Sequence, residues 1–389
     1  MEETMTGHAI QPPVATPTLS LCIPTYNRAH LLESALMSVV PQVKELGPDV
    51  ELIISDNCSI DNTRQLVESF RQHCPIRYHR QERNVGGVRN VLSVVAKAAG
   101  KFCWVIGDDD MLRPGALRKL IDVIEKYPDL DYFYVNYSID EYGRRDGRVV
   151  DPSEFLTWNR TGNENLDERV VPDWTTLLRE DFSCLTPIYA SVFRRAVWLR
   201  GAATLRLATE FDETSSFSSI DESFPQSVIF ARTMIGKPAW ASGYPWVICC
   251  SIESWLDYVP LIVLLRFHEL FDEYARLGAD PHLFRRQRQR MFGYATSFFT
   301  QIFQGVQLPG LANFSIARFM KKHWSQRDAW RAIYQATLNA SMSEIVRHSP
   351  LVATFAVAAK ICFRVRNKLS RFRMRFQPVH STNPERTAD

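Results

Sequence analysis

The sequence predicts an α/β fold: a mostly parallel sheet with helices on both faces, followed by a C-terminal helical region. Two observations carry this reading. Through the first third of the chain, short apolar runs alternate with segments whose apolar residues recur at helical spacing. That βαβα order favours parallel strands joined by crossover helices. From Trp255 onward, the period is helical almost throughout.

The elements follow in order. Residues 19–23 form a strand closed by Pro24, and Asn27 is placed to cap a helix bearing Leu31, Leu32, Ala35, Leu36, Val39 and Val40. Residues 50–54 are the second strand, and Asp61 caps a helix carrying Leu66, Val67 and Phe70. A weaker strand spans 76–79, and Gly86-Gly87 opens a helix through Val88, Val91, Leu92, Val95 and Ala99. Residues 102–106 make the fourth strand, 111–115 a turn into a helix over 114–127, and 131–137 another strand. The stretch 138–171 is polar and aperiodic, with Gly143, Gly147 and Gly162, and reads as a long functional or mobile loop. A strand at 189–193, an apolar helix at 224–234 and one or two strands at 238–250 complete the α/β part. The organisation expected is a flexible tail (1–18), an α/β domain (19–253), a helical region (254–349) and a basic amphipathic helix with tail (350–389).

Composition narrows the class. The chain has 389 residues, a formal net charge of +3 and eight cysteines. No cysteine pair has CxxC or zinc-ligand spacing. Cys22 and Cys103 fall inside apolar strand patterns, which suits reduced core residues of a cytosolic protein. The first eighteen residues are polar and Pro-rich without an apolar h-region, so no signal peptide is expected. No run approaches the ~18 apolar residues of a membrane-spanning helix. No nucleic-acid partner is expected.

The richest chemistry follows the fourth strand, at Gly107-Asp108-Asp109-Asp110. Adjacent like charges raise one another's pKa and cost free energy unless a cation compensates. A hard divalent ion shared with a substrate phosphate is the usual compensation. A GxGxxG fingerprint and a P-loop lysine are both missing. A nucleotide still has candidate partners. Pro24, Thr25, Tyr26 and Arg28 follow the first strand, where Tyr26 can stack on a base. Asp56 and Asn57 follow the second strand and offer hydrogen bonds to a base edge or ribose. Arg89 sits in the first turn of its helix, where the dipole favours phosphate. All lie just beyond strand ends, so they converge on one crevice.

Four of these segments, LSLCIPTYNR (19–28), ELIISDNCSIDNT (51–63), NVGGVRN (84–90) and GDDDMLRPGAL (107–117), resemble family-2 glycosyltransferases. Members of that family are inverting nucleotide-sugar enzymes with a Rossmann-like GT-A domain. The chain is similar to the abequosyltransferase-like branch, which builds bacterial O-antigen and other surface polysaccharides. The resemblance implies that Pro24, Thr25 and Tyr26 form the base-binding loop and that Asp56 and Asn57 match an Asp-Asp pair contacting base and ribose. It implies that Arg89 lies near the donor and that Asp108, Asp109 and Asp110 cover the DxD region. Gly107 stands where the family has its first Asp, so a Mn²⁺ or Mg²⁺ ion is implied at Asp109, helped by Asp110, with Asp108 on the donor ribose or sugar.

The implied reaction moves a sugar from a nucleotide-sugar donor to a hydroxyl of a lipid-linked or growing glycan. A carboxylate base takes the acceptor proton while the metal stabilises the departing diphosphate. The family places the base at the start of a helix far downstream, which here is Asp221 or Glu222. The competing reading of Asp221 is helix capping, and Asp212 and Glu213 are further alternatives. A non-catalytic sugar-nucleotide or glycan-binding protein with the same fold is the second function class. An acidic cluster together with a base favours the enzyme.

The tail has its own pattern. Val365, Leu369, Phe372 and Phe376 make one helical stripe beside Arg364, Lys368, Arg371 and Arg375. A basic amphipathic helix of this kind suits an anionic membrane surface, and a helix packed on the protein is the alternative. The expected location is cytoplasmic, peripheral at the inner face of the cytoplasmic membrane.

Overall fold

Nine strands join in one sheet in the computed structural model, which describes residues 16–140, 167–180, 185–211, 217–250, 256–308, 311, 314–340, 357 and 361. They are β1 (Leu19–Thr25), β2 (Val50–Asp56), β3 (Ile76–Arg80), β4 (Phe102–Val105), β5 (Met111–Leu112), β6 (Tyr132–Asp140), β7 (Arg169–Val171), β8 (Ser191–Arg194) and β9 (Ala239–Cys250). The spatial order is β3-β2-β1-β4-β8-β6-β9-β5, with β7 paired to β9. β1 runs parallel to β2 on one side and to β4 on the other. Leu19, Leu21, Cys22 and Ile23 are fully buried, as expected of a parallel strand covered on both faces. The α/β architecture and its parallel first half match the sequence expectation.

Strand order reverses between β1 and β4, because β2 and β3 build outward on one side only. Such a switch point opens a crevice at the carboxyl ends of the strands. The register pairs Cys22 with Val105, which carries the ends of β1 and β4 side by side. Beyond β4, β8 enters antiparallel and β6 pairs parallel with β9. The two-residue β5, expected as a turn, pairs with Val247 and Ile248 and so pins the chain just after the acidic triplet. Short β7 likewise lies inside what reads in sequence as loop.

Helices α1 (Ala29–Leu46), α2 (Thr63–Arg71), α3 (Gly87–Lys97), α4 (Ala116–Lys126), α5 (Thr175–Glu180), α6 (Arg195–Ala202), α7 (Ile220–Ser223) and α8 (Pro225–Met234) accompany the sheet. An aromatic core holds the second half together: Phe193 stacks on Trp198 at 4.4 Å, and Phe230 meets Tyr132 and Trp174 edge-on.

Asn27 does not cap α1. It takes a left-handed backbone (φ 52°), and its side-chain oxygen accepts from the Ile60 amide at 2.8 Å. Asp61 caps two helices instead. Its Oδ2 accepts from the Ala29 amide at 3.0 Å and its Oδ1 from the Thr63 amide at 3.1 Å. A carboxylate outperforms an amide here because it takes donors from both helix termini on its two oxygens.

Two compact units divide the chain: Met1–Ser254 with Glu269–Phe284, and Trp255–His268 with Arg285–Asp389. Helical segments beyond β9 are α9 (Val259–Leu261), a π-helical stretch (Ile262–Arg266), α10 (Phe267–Arg276), α11 (Arg285–Phe303), α12 (Ile316–Lys322) and α13 (Arg327–Asn339). The second unit has its own core, in which the His268 ring stacks on Phe292 at 4.6 Å and Phe319 packs on His323. Burial pushes the His268 imidazole well below its ordinary value. Among the described residues, no helix is long and apolar enough to cross a membrane. Asp212, Glu213 and the amphipathic stripe at 364–376 lie outside the described residues.

Burial opposes ionisation of Asp61, but hydrogen bonds from the Thr63 hydroxyl and from the Ala29 and Thr63 amides outweigh it and leave its pKa lowered. The folded carboxyl therefore ionises at lower pH than the unfolded one. Its contribution is present above the unfolded value and is lost as pH falls through the folded value. Asp61→Ala is expected to cost about 1 kcal/mol at neutral pH. Denaturant midpoints against pH should show this difference narrowing on acidification, whereas a pH-independent gap would refute the double cap.

Candidate active site

The site is built where β1, β2 and β4 end. Thr25 closes β1 and donates through Oγ1 to Asp108 Oδ2 at 2.8 Å. Arg28, immediately before α1, donates through Nη1 to Asp108 Oδ1 at 3.1 Å and to Asp109 Oδ2 at 3.4 Å. Asp110 turns back, and its Oδ2 accepts from the Gly107 amide at 2.7 Å. The three carboxylates therefore do different things although they are adjacent in sequence. Asp108 is tied to β1, Asp110 to its own turn, and Asp109 meets Arg28 through Oδ2.

Glycine at 107 makes this possible. A Cβ there would stand 2.4 Å from Asp109 Oδ1 and 2.9 Å from Asp110 Oδ2. Any side chain would drive both carboxylates away.

Charge is concentrated here. Burial first, then the neighbouring charges of Asp110 and Asp108, push the Asp109 carboxyl well above the ordinary range, with Arg28 opposing. Burial also raises Asp108, against Arg28 and Thr25. Burial works against the Arg28 cation, but Asp108 and Asp109 outweigh it and raise its pKa. The compensating cation expected from the sequence is thus in part this arginine. Among the described residues, no group of three or more His, Cys, Asp or Glu is arranged to hold a metal ion. Asp109 is the carboxylate that suits one, since its side chain is 13% exposed against 6% for Asp108. The excess negative charge left on it is what a dication would relieve.

Tyr26 is 41% exposed just past β1, as a stacking surface requires. Asp56 and Asn57 lie at the same edge but are buried and committed to the fold. Asp56 accepts from the Ser59 amide at 2.8 Å and from the Tyr78 hydroxyl. Asn57 accepts from the Val85 amide at 2.9 Å and donates to Asn84 at 2.7 Å, which sets the turn into α3. That turn needs Gly86, whose φ is +82° and whose Cβ would meet the Phe211 ring at 2.4 Å. Sequence reading missed Asn90, a buried amide inside an apolar helix stripe. It donates to the Ser55 carbonyl at 2.9 Å and accepts from the Ser55 hydroxyl at 2.7 Å, locking α3 onto β2.

Arg89, in the first turn of α3, pairs with Glu222 at 3.1 Å and donates to the Ala208 carbonyl at 2.6 Å. Glu222 Oε1 also accepts from the Ala208 amide at 2.9 Å. Both Glu222 oxygens are therefore in use. Asp221 diverges from it. The cap of α7 is Ser219, whose hydroxyl accepts from the Glu222 amide, so Asp221 is released from the capping role. Its buried Oδ1 lies 3.3 Å from Arg232 Nη1 without hydrogen-bond geometry. Burial raises its pKa, Arg232 opposes, and Glu273 adds to the rise.

This arrangement can be set beside known proteins. Residues 20–180 match the family model for glycosyl transferase family 2. Residues 20–180 are thus similar to a family-2 glycosyltransferase domain. Abequosyltransferase RfbV of Salmonella typhimurium is 40% identical over 242 residues, which is 59% of this chain and 66% of that protein. A GalNAc(5)-diNAcBac-PP-undecaprenol beta-1,3-glucosyltransferase of Campylobacter jejuni is 36% identical over 107 residues, 27% of this chain and 34% of its own length. The chain thus spans less than two thirds of the curated relatives it matches. The crystal structure of S. aureus TarS 1-349 in complex with UDP superposes with a TM-score of 0.50 at 15% identity, covering 89% of this chain and 91% of that one. That likeness shows the GT-A fold. The matched residues of the glycosyltransferase domain include the crevice ends of β1, β2 and β4.

Replacing Arg28 by Met would leave Asp108 and Asp109 without their shared cation. We expect a loss of roughly 1–3 kcal/mol at neutral pH, the usual cost of stranding a buried charged partner. Because Asp109 has a raised folded pKa, the folded state binds its proton more tightly than the unfolded state, and the penalty grows as pH rises. Thermal melts of both proteins from acidic to neutral pH should therefore diverge upward. Parallel curves would contradict the charge assignment.

Proposed function

We propose that this chain is an inverting glycosyltransferase that moves a sugar from a nucleotide-sugar donor to a hydroxyl of a lipid-linked or growing surface glycan. One observation carries the reading: the Arg89–Glu222 pair ties α7 to the helix that opens beside the crevice of β1, β2 and β4. In this reading the acidic cluster, the stacking surface and the Glu222 side of α7 serve one crevice. The Salmonella and Campylobacter relatives, an abequosyltransferase and a glucosyltransferase of a PP-undecaprenol glycan, support the substrate class.

Within this reading, Tyr26 stacks on the donor base, with Pro24 and Thr25 shaping the loop. Asp56 and Asn57 act mainly by fixing that loop and the turn into α3. Asp108 faces the donor ribose or sugar, and Arg28 and Arg89 bring positive charge to the diphosphate. Asp109 holds a Mg²⁺ or Mn²⁺ ion, which supplies charge neutralisation to the departing diphosphate. Asp110 is spent on the Gly107 turn. The base is Asp221, because its Oδ1 makes no hydrogen bond and its pKa is raised toward working pH, as general-base work favours. Glu222 is a positioning residue that holds Arg89. Peripheral attachment to the inner face of the cytoplasmic membrane through residues 350–389 completes the reading, since a lipid-linked acceptor resides there.

The two acids separate under kinetics. Asp221→Asn should lower kcat by about 10²–10⁴-fold while leaving donor affinity near wild type. Glu222→Gln should chiefly raise the donor KM, through the loosened Arg89. The reverse pattern would move the base to Glu222, and normal turnover in both would place it elsewhere. Asp109→Asn should weaken donor binding only when a divalent ion is present. Donor binding unaffected by excess chelator in the wild type would rule out the ion. NMR of the product should show inverted anomeric configuration.

A further inference from the structure

The second unit carries a surface feature that the transfer reaction does not use. Trp324, in the turn between α12 and α13, is 66% exposed, unusually high for the largest apolar side chain. It is not loosely placed. Trp330 meets it edge-to-face with ring centroids 5.1 Å apart, and the Trp330 indole N–H donates to the Trp324 carbonyl at 2.9 Å. Two indoles are therefore presented as one braced platform.

Cations flank it in sequence. Lys321 and Lys322 end α12, and Arg327 and Arg331 lie one turn apart at the start of α13, all four exposed. Asp328 is the single acidic residue between Arg285 and Asn339. An indole prefers the boundary where one side is apolar and the other wet. Basic side chains beside it add attraction to anionic headgroups, each worth ~1 kcal/mol near the surface. A neutral sugar would use the aromatic platform but would have no need of four cations.

We propose that the α12–α13 turn is a membrane-docking surface for anionic lipid, with Trp324 seated at headgroup level and Lys321, Lys322, Arg327 and Arg331 on the phosphates. The site is distinct in sequence from the tail at 350–389. It deepens the peripheral-membrane part of the proposed function and rests on that part only in its choice of surface.

The test uses the full chain and co-sedimentation with phosphatidylglycerol–phosphatidylcholine vesicles against pure phosphatidylcholine. Trp324→Ala and the double variant Lys321→Gln/Lys322→Gln should each weaken binding to anionic vesicles by about tenfold, with a cooperative melt retained in both. Trp324→Phe should retain most of the binding, and raised salt should weaken the wild type. Wild-type affinity in both the Trp324→Ala and the double-lysine variants overturns the proposal. So does equal binding to neutral vesicles, or competition by a soluble neutral oligosaccharide, which would make the platform a sugar site. An Arg371→Gln/Arg373→Gln variant reports on the tail separately. If it binds normally while Trp324→Ala does not, tail attachment fails and the α12–α13 surface stands.

Discussion

Three carboxylates in a row at the end of a buried strand are stable only if their charge is divided and opposed, and the crevice follows from how this chain does so. Thr25 and Arg28 reach across from β1 to Asp108, so the same contacts that compensate charge also fasten the two strands at the switch point. Asp110 is satisfied by its own turn, which glycine at 107 permits. What remains is one carboxylate, Asp109, whose pKa is raised by burial first and then by Asp110 and Asp108, against Arg28.

The second constraint is long-range. Asp221 and Glu222 are neighbours on a one-turn helix, yet they belong to different networks. Glu222 is drawn to Arg89, 133 residues away in sequence, and Asp221 is left among Arg232 and Glu273. This split gives two adjacent acids different partners. It also makes the orientation of Arg89 depend on a helix that no nearby sequence element controls.

Much of this was legible in the sequence. The buried parallel strands read as apolar runs because both faces are covered, and the polar residues just beyond their ends stand out against those runs, although Asp56 and Asn57 prove buried and committed to the fold. Other features were not legible. Asn27 looked like a cap, but the capping carboxylate comes from Asp61, and only folding brings that residue to α1. The antiparallel entry of β8 between β4 and β6 is a matter of pairing partners, which periodicity does not encode. β5 is too short to carry any period. The separation of Asp221 from Glu222 depends on Ser219 taking the cap and on Arg89 arriving from α3.

The central claim is that the crevice binds a nucleotide-sugar through charge it holds in advance at Asp109. The most direct measurement is the melting temperature of the full chain with UDP-, GDP-, CDP- and dTDP-sugars, each with and without Mn²⁺ or Mg²⁺, since a ligand that binds the folded state raises apparent stability by mass action. The account predicts that one nucleotide class raises the melting temperature and does so only with the divalent ion. A chain whose melting temperature no sugar nucleotide moves, with or without metal, would contradict it.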